Sequence, residues 1–453
     1  MKRFLIPAIA AVLACTTALA GDVTPQRAKK IASRFMEATL VSSDDYTYVF
    51  NRPSGGFVIV AADDIAAPVL GYSYTGRADK DKMPPALKAM LDEFKARIDS
   101  GRKNSIPQSA KIKRLWNELE MITKSDDLPD YDESILYTTA SWNQYEPFNL
   151  HCPELDSGVN AITGCVATAA AILARFYRYP EHGAGTVPGY NFIYNSKLYK
   201  IPDHELGHDY DWDNMPLSYG MTWTEEQGDA VATLMYDLGT AAQLEYGDMY
   251  TGTSGYDAKM IAALAQYFGF SDEYSIEYRA NYPDSLWMLA IKEDLSKTGP
   301  IYYTGRTMDS GHAFLLTGYD TKDNIYINWG WGGQYNGYFA LDAFQPDPRD
   351  PSGAYLYYHS AVFGLKPSGT EPQADPLDKA TKLDFNKADN QIVITTYRDV
   401  KYTFLDSEGK ESSRGITKEG KRIILNKSVI KPGTYTLILR KGDETKSLEL
   451  VFN

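Results

Sequence analysis

Apolar residues near the N-terminus follow first a helical and then a strand-like spacing. After Thr24-Pro25 they recur every three or four positions through residues 28–35, which predicts a helix that begins at this proline. Strand-like segments follow at residues 46–50, 56–61 and 68–72, and a second helical pattern covers residues 84–99. The first region is therefore predicted to mix helices and strands.

The middle of the chain contains a longer helical pattern and a buried strand. An alanine-rich run begins at residue 167 and continues to residue 179, where Pro180 ends it. Residues 314–319 form an apolar run of strand length. These patterns predict a second α+β region that is large enough for its own core.

The C-terminal part has a third pattern. A linker rich in Pro, Gly and acidic residues spans residues 368–376. Beyond it, short alternating segments separated by Gly, Asp and Lys turns predict a small all-β sandwich over residues 377–453. The predicted strands are residues 391–396, 401–405, 422–425, 434–439 and 447–452. The last hairpin resembles the C-terminal sorting domains of secreted bacterial proteins, and a plain accessory β-domain is the open alternative.

Composition and charge place the chain among large secreted globular proteins. It has 453 residues, 43% of them hydrophobic, and a net charge of −13. Residues 1–20 have a basic start, an apolar run and a small-residue end at Ala18-Leu19-Ala20, which predicts a signal peptide. Cys15 could instead accept a lipid, which would hold the protein at the cell surface. No later segment predicts a membrane span, and the acidity argues against nucleic-acid binding.

A single thiol stands out as candidate chemistry. Cys165 follows Gly164 at the opening of the alanine-rich helix. Because the N-terminus of a helix favours an anion, we expect the pKa of this thiol to be lowered and the residue to be a nucleophile. The alternative is that Cys165 is a small buried hydrophobe.

A candidate base elsewhere in the chain favours the interpretation of Cys165 as a nucleophile. His312 opens the apolar strand and lies 147 residues after Cys165, within the ~130–150 separation typical of papain-like pairs. Asn328 and Trp329 follow, and either an amide or an aromatic ring could hold the imidazole in place. Upstream, the side-chain amide of Gln144 could form an oxyanion hole with the Cys165 N–H. The order Gln, Cys, His, Asn/Trp indicates nucleophilic catalysis.

At these motifs the chain resembles the streptopain-type cysteine peptidases of the papain-like clan, over roughly residues 21–367. By this resemblance Cys165 is the nucleophile, His312 the proton acceptor and Gln144 the oxyanion donor. Trp329 would be the aromatic partner of the histidine, ranked above Asn328 for the orienting role. The matching stretches are Trp142-Asn143-Gln144, Pro147-Phe148-Asn149, Thr163-Gly164-Cys165-Val166-Ala167-Thr168-Ala169, Gly311-His312-Ala313-Phe314 and Asn328-Trp329-Gly330-Trp331-Gly332-Gly333.

The resemblance also implies a fold and a domain order. It implies a papain-like two-lobed catalytic domain at residues 126–367, preceded by an α+β inhibitory pro-domain at residues 21–125 that is removed by cleavage between residues 114 and 131. Gly311 would leave room for the substrate backbone, and Thr253 stands where the family has a serine in its substrate-facing loop. The expected partners are protein and peptide substrates and the chain's own pro-domain, and no cofactor or metal is expected.

Three other readings of the chain stay open. His204-Glu205-Leu206-Gly207-His208 is a formal match to the zincin motif, although Pro202 and Gly207 disfavour the helix that zinc binding requires. A second reading is a non-catalytic adhesion protein on a peptidase scaffold. A third is an amidase or acyltransferase, because the same Cys/His parts serve any acyl transfer.

Overall fold

The architecture described below comes from a computed structural model. The predicted signal peptide, which includes Cys15, and residues 370–376 of the predicted linker lie outside the described part of the chain. The described residues are 21–79, 82–83, 85–121, 135–155, 158–220, 222–248, 253–282, 284–306, 311–341, 358–369, 381–386, 391–396, 400–406, 411–417, 422–426, 433–441 and 444–452.

In its described residues, the N-terminal region consists of four strands and three α-helices. Thr24 caps the first helix by accepting a hydrogen bond from the Arg27 N–H, and Pro25 is its first residue, as predicted. The pattern also predicted three of the strands and the second helix, but not the first strand or the third helix. The elements are α1 (Pro25–Ala32), β1 (Thr39–Ser43), β2 (Thr47–Asn51), β3 (Phe57–Ala61), β4 (Val69–Ser73), α2 (Pro85–Lys103) and α3 (Ala110–Met121).

The third helix closes this region onto α1. The Trp116 ring is buried, its Nε1–H donates to the Ala66 carbonyl at 2.9 Å, and the Arg27 guanidinium lies 4.3 Å from the ring centroid. Arg27 also forms ion pairs with Asp64 and Glu120. Helix α3 is therefore an integral part of the N-terminal region.

In the described residues, the middle region contains four α-helices and half of the strands. The alanine-rich helix ends at Arg178, which has a left-handed conformation (φ 50°) two residues before Pro180. The elements are β5 (Ile135–Leu136), α4 (Cys165–Tyr177), β6 (Thr186–Val187), β7 (Tyr190–Tyr194), β8 (Lys197–Ile201), β9 (His204–Glu205), α5 (Glu225–Ala241), α6 (Asp257–Tyr267), β10 (Ser275–Tyr278), α7 (Asp284–Lys297), β11 (Ile301–Arg306), β12 (Gly311–Tyr319), β13 (Asn324–Asn328), β14 (Gly337–Ala340) and β15 (Tyr358–Phe363).

One antiparallel sheet runs through both regions. Within the described residues its strand order is β1-β2-β3-β4-β14-β13-β12-β11-β15-β10, and β5 pairs with β12 at the side. The junction is the pairing of β4 with β14, where Tyr72 lies opposite Tyr338 and Gly71 opposite Phe339. The N-terminal region thus extends the sheet that carries His312.

The two faces of this sheet belong to different cores. On one face Leu87 and Phe94 of α2 share a hydrophobic cluster with Phe314 of β12 and Trp287 of α7. On the other face Ala313 of β12 packs in a second cluster with helices α4, α5 and α6. Because side chains alternate along a strand, neighbouring residues of β12 enter different cores.

The C-terminal region is all-β, as predicted. Its strands form a three-stranded sheet in the order β16-β17-β20 and a four-stranded sheet in the order β19-β18-β21-β22. The five predicted strands correspond to β17, β18, β20, β21 and β22. The bounds are β16 (Thr381–Asn386), β17 (Gln391–Thr396), β18 (Val400–Leu405), β19 (Glu411–Thr417), β20 (Arg422–Asn426), β21 (Gly433–Lys441) and β22 (Glu444–Phe452).

Across the described ranges, no helix combines the length and the apolar composition that crossing a membrane requires.

Candidate active site

Cys165 is the first residue of α4, and the turn before it leaves the helix N-terminus open. Gly164 stands at the N-cap with φ 79°, a conformation that favours glycine, and no side chain caps the helix there. The Thr168 hydroxyl donates to the Gly164 carbonyl at 2.8 Å and so fixes the turn from inside the helix. The thiol therefore faces unsatisfied N–H groups of the first turn.

The thiol nevertheless has a raised pKa, contrary to the sequence-based expectation. Burial raises the pKa of Cys165 to about 11, and the nearby Asp257 carboxylate raises it further. Hydrogen bonds from the backbone N–H groups of Ala313, Cys165 and Val166 act in the opposite direction. The helix N-terminus favours the thiolate as predicted, but desolvation is the larger effect.

His312 lies on β12, directly opposite Gly305 of β11. Its Nε2–H donates to the Trp329 carbonyl oxygen at 2.9 Å. This hydrogen bond raises the pKa of His312, but burial lowers it to about 4. The imidazole is therefore neutral at physiological pH, and its Nδ1 is left as the acceptor.

The thiol lies at the start of α4 and the imidazole near the start of β12, and each of them contacts other groups. Cys165 meets the Ala313 N–H on the α4 face of the sheet, whereas the His312 ring packs beside Phe314 and Trp331 with centroid distances of 6.0 and 6.3 Å. Among the described residues, no hydrogen bond joins the Cys165 and His312 side chains. The two groups therefore do not form an ion pair in this arrangement.

Neither the Trp329 ring nor the Asn328 amide makes the contact with the imidazole that its proposed orienting role would require. The Trp329 ring is buried in the core 4.8 Å from Phe314, so the residue reaches His312 through its carbonyl. The Asn328 amide donates to Thr139 Oγ1 and the Ala140 carbonyl, both at 2.9 Å, and does not contact the imidazole. Asn328 thus ties the loop after β13 to the segment that leads to Gln144.

Trp331 provides the aromatic surface beside the imidazole, a position that the sequence reasoning assigned to Trp329. Its ring lies 6.3 Å from the His312 ring, and its buried Nε1–H has no hydrogen-bond partner among the described residues. Trp331 is the second tryptophan of the Trp-Gly-Trp repeat. The repeat was visible in the sequence, but which ring faces the histidine depends on the turn at Gly330, whose φ is 71°.

Gln144 lies beside the turn that carries Cys165, and Gly311 begins the strand that carries His312. The Gln144 backbone carbonyl accepts a hydrogen bond from Thr163 N–H at 3.1 Å, which holds this residue beside the Cys165 turn. Its side chain is buried and forms no hydrogen bond to another described residue. Gly311 is exposed at the start of β12. The Gln144 amide therefore remains available to a ligand beside the Cys165 turn, and the Gly311 backbone is exposed at the start of the His312 strand.

Thr253 contacts the same turn from another segment. Its hydroxyl donates to the Ile162 carbonyl at 2.6 Å and accepts from the Gly247 N–H at 3.1 Å. A Cβ atom at Gly164 would lie 2.9 Å from the Thr253 Cβ. The Thr253 hydroxyl is therefore engaged within the protein and supports the turn that carries Cys165.

The zincin-like motif forms a different arrangement. His204 and Glu205 lie in strand β9 rather than on a helix. The Nε2 atoms of His204 and His208 bond to the two oxygens of the buried Asp237 carboxylate at 2.7 and 2.8 Å, and Tyr210 donates to it as well. In the described ranges no group of three or more His, Cys, Asp or Glu is placed to hold a metal ion.

The second cysteine of the described chain is not part of the site. Cys152 and Cys165 are both free thiols. Cys152 is buried in the core of the α4 side, and burial raises its pKa far above the ordinary range. It is an unreactive thiol that offers a matched control for Cys165.

Known proteins share both the site and the N-terminal region. Residues 142–339 match the Peptidase C10 family, and residues 40–98 match the Spi protease inhibitor family. Streptopain from Streptococcus pyogenes is 30% identical over 341 residues, which cover 71% of this chain and 80% of that protein.

Two further relatives extend the match. The thiol protease/hemagglutinin PrtT of Porphyromonas gingivalis is 29% identical over 86% of this chain, which spans only 48% of that longer protein. A structure of prointerpain A from Prevotella intermedia aligns with a TM-score of 0.58 at 29% identity, over 73% of this chain and 99% of the other. The chain belongs to the peptidase C10 family, the streptopain-type cysteine peptidases, and carries an inhibitor-type pro-domain ahead of its papain-like catalytic domain.

Proposed function

We propose that this chain is a secreted cysteine endopeptidase made as a zymogen, which hydrolyses peptide bonds of proteins through Cys165 and His312. One observation carries the proposal. Both groups are uncharged and form no hydrogen bond with each other, and the pro-domain extends the sheet that carries His312. Secretion rests on the signal-peptide pattern of residues 1–20.

The acid–base properties of the pair explain why the full-length chain would be latent. Burial raises the pKa of the thiol and lowers that of the imidazole, so transfer of the proton from sulfur to nitrogen is unfavourable and both groups stay uncharged. A neutral thiol is a weak nucleophile. Activation must therefore bring the imidazole to the thiol and expose both to a more polar environment.

The pro-domain is positioned to maintain this latent state. Its helix α2 packs on the face of the sheet that Phe314 occupies, and β4 pairs with β14 next to the Trp331 loop. The Ser73 hydroxyl donates to the Asn336 carbonyl at 2.6 Å, which fixes that loop directly. Removing the pro-domain would free the loop and the histidine side of the site to rearrange.

In the active form the reaction would proceed by acyl transfer. The proton of the Cys165 thiol passes to His312, and the thiolate attacks the peptide carbonyl carbon. The Cys165 N–H and the Gln144 amide stabilise the oxyanion, and the His312 imidazolium protonates the leaving amine. Water, deprotonated by His312, then hydrolyses the thioester and regenerates the thiol. The Trp329 carbonyl would orient the imidazole throughout.

Maturation would require a cut between the two regions. Helix α3 ends at Met121 with Trp116 buried, and β5 begins at Ile135 inside the catalytic sheet. Because a protease needs an extended substrate, residues 114–121 are protected while α3 is folded. We therefore place the cut in the later part of the predicted segment, at residues 122–131.

The decisive experiment compares two cysteine variants of the full-length chain. Cys165→Ala should abolish casein hydrolysis in the presence of reductant and should leave the pro-form intact if maturation is self-catalysed. Cys152→Ala, the matched control, should keep both activity and processing. An irreversible epoxide inhibitor should form one adduct, which mass spectrometry maps to Cys165.

Three results would contradict the proposal, each in favour of another reading. Casein hydrolysis by Cys165→Ala would exclude the thiol mechanism, and its loss with a chelator would favour a metal site. A processed protein that releases acyl groups from small amides but leaves casein intact would favour an amidase. An active protein whose N-terminus is residue 21 would reject the zymogen.

A further inference from the structure

A segment outside the established motifs packs on the turn that carries Cys165. Thr253 contacts Gly164, and a Cβ atom at Gly255 would lie 3.9 Å from Val166 Cγ2. Two residues later, Asp257 begins helix α6, which itself contacts α4. Residues 253–257, which end at Asp257, thus pack against the residues on both sides of Cys165.

Tyr302 holds that carboxylate on the α4 face of the sheet. The fully buried Tyr302 lies on β11 opposite Leu315, and its hydroxyl donates to Asp257 Oδ1 at 3.1 Å. Leu315 and Ala313 point to the same face, and the Ala313 N–H bonds to the thiol. The carboxylate is therefore fixed near the sulfur by a rigid strand rather than by a flexible surface contact.

We propose that Asp257 is a positioning residue of the peptidase site, whose charge sets the pH range in which Cys165 and His312 exist as an ion pair. The inference deepens the proposed function and rests on it for its effect on turnover. It assigns to Asp257 a role that the Gln-Cys-His-Trp pattern does not contain.

The electrostatics of the site support this role. Asp257 raises the pKa of Cys165 and also raises the pKa of His312, because a negative charge disfavours the thiolate and favours the imidazolium. Among the described residues, the titratable groups that interact with it include these two side chains, from α4 and β12, and the Tyr302 hydroxyl from β11. On its own helix, Lys259 is exposed and bonds to Gln243 instead.

A bell-shaped pH profile follows from these two effects. Activity rises as one group loses its proton and falls as the other does, so a charge that raises both pKa values moves both limbs to higher pH. Replacing Asp257 with asparagine keeps the acceptor for Tyr302 and removes the charge. Both limbs should then move to lower pH.

The test uses two readouts on the full-length chain and its activated product. The first is the rate at which iodoacetamide alkylates Cys165 as a function of pH, followed by mass spectrometry, which requires no peptidase activity. For Asp257→Asn this rate should exceed that of the parent by about threefold or more at a pH below the thiol pKa. The second is the pH profile of kcat/KM after activation. The ratio of variant to parent should exceed one on the acidic limb and fall below one on the alkaline limb.

Matched variants separate charge from structure. Asp257→Glu restores the charge and should restore the parent curves. Glu245→Gln removes a carboxylate from a neighbouring segment, where it accepts from Ser254, and should leave both curves unchanged.

Each outcome decides a different point. An alkylation curve of Asp257→Asn that coincides with the parent curve overturns the inference, as does an Asp257→Glu curve that moves with the asparagine variant. A shifted alkylation curve in proteins that hydrolyse no peptide, the parent included, rejects the peptidase assignment but supports the effect of Asp257 on the thiol.

Discussion

A buried polar chain joins the pro-domain to the catalytic sheet, and its removal should destabilise the full-length protein. Glu93 on α2 accepts from His359 Nε2 on β15 at 3.3 Å, and the Tyr303 hydroxyl bonds to His359 Nδ1 at 2.9 Å. Glu93 also pairs with Arg97 one turn along α2. The perturbation to make is Glu93→Ala.

The expected magnitude follows from burial. The side chains of Glu93, His359 and Arg97 are 11%, 10% and 15% exposed, so deleting the carboxylate removes the shared partner of two buried groups. Such deletions cost roughly 3 kcal/mol. The pair of Glu118 with Lys322 also links the pro-domain to the catalytic domain, but its side chains are 47% and 28% exposed. Its loss should cost at most about 1 kcal/mol.

The effect should depend on pH. Arg97 and His359 hold the pKa of Glu93 at about 2, below its ordinary 4.5, against the opposing effect of burial. The stabilisation is therefore present above pH 4.5 and is lost as the pH falls toward 2. Burial lowers the pKa of His359 below 6.5, so keeping this ring neutral also costs stability below pH 6.5. Acid thus weakens the contact through both groups.

Thermal unfolding of the full-length chain in a Cys165→Ala background measures these differences without self-cleavage. At pH 7, Glu93→Ala should lower the Tm by roughly 3 °C, and Glu118→Ala by about 1 °C or less. The gap between Glu93→Ala and the parent should narrow below pH 4.5. Equal shifts for the two variants at pH 7, or a gap that widens in acid, would show that the Glu93 contact does not stabilise the protein in this way.

Two other substitutions test separate parts of the structure. Gly164→Ala places a Cβ at φ 79° against Thr253, so kcat should fall at least about tenfold, whereas Gly207→Ala, with open space around it, should match the parent; equal activity of the two would contradict the tight turn. Asp237→Asn removes the buried charge that raises the pKa of His208 and should destabilise the protein by about 3 kcal/mol at pH 6. Because the stability from this raised pKa is lost as the pH rises past it, the deficit measured by urea unfolding should shrink at alkaline pH, and a constant deficit would disprove the coupling.

The sequence predicted the elements that have strong periodicity or clear ends. Thr24-Pro25 marked α1, the alanine run marked α4, and the alternating segments of the C-terminal region marked five of its strands. Strand β1 was not predicted because its Leu40 and Val41 are adjacent and both exposed, so the segment has no alternating pattern. The position of a thiol at the helix start was also predictable.

The properties that depend on burial could not be predicted in the same way. The local setting of Cys165 indicated a lowered pKa, but the desolvation that reverses it comes from strands far away in sequence. The orienting carbonyl of Trp329 carries no residue-specific signal, because every residue has one. Asp257 was missed for a related reason: its relation to the thiol arises only when α6 packs on α4.

The β4–β14 pairing has a consequence for how the enzyme would switch on. A cut between Met121 and Ile135 severs the chain but leaves this strand junction and the α2 core intact. The nicked molecule should therefore persist as a non-covalent two-chain complex, held by its own binding equilibrium. Peptidase activity would then begin only when the cut protein is diluted. Concentrated samples would stay inactive long after every polypeptide has been cleaved.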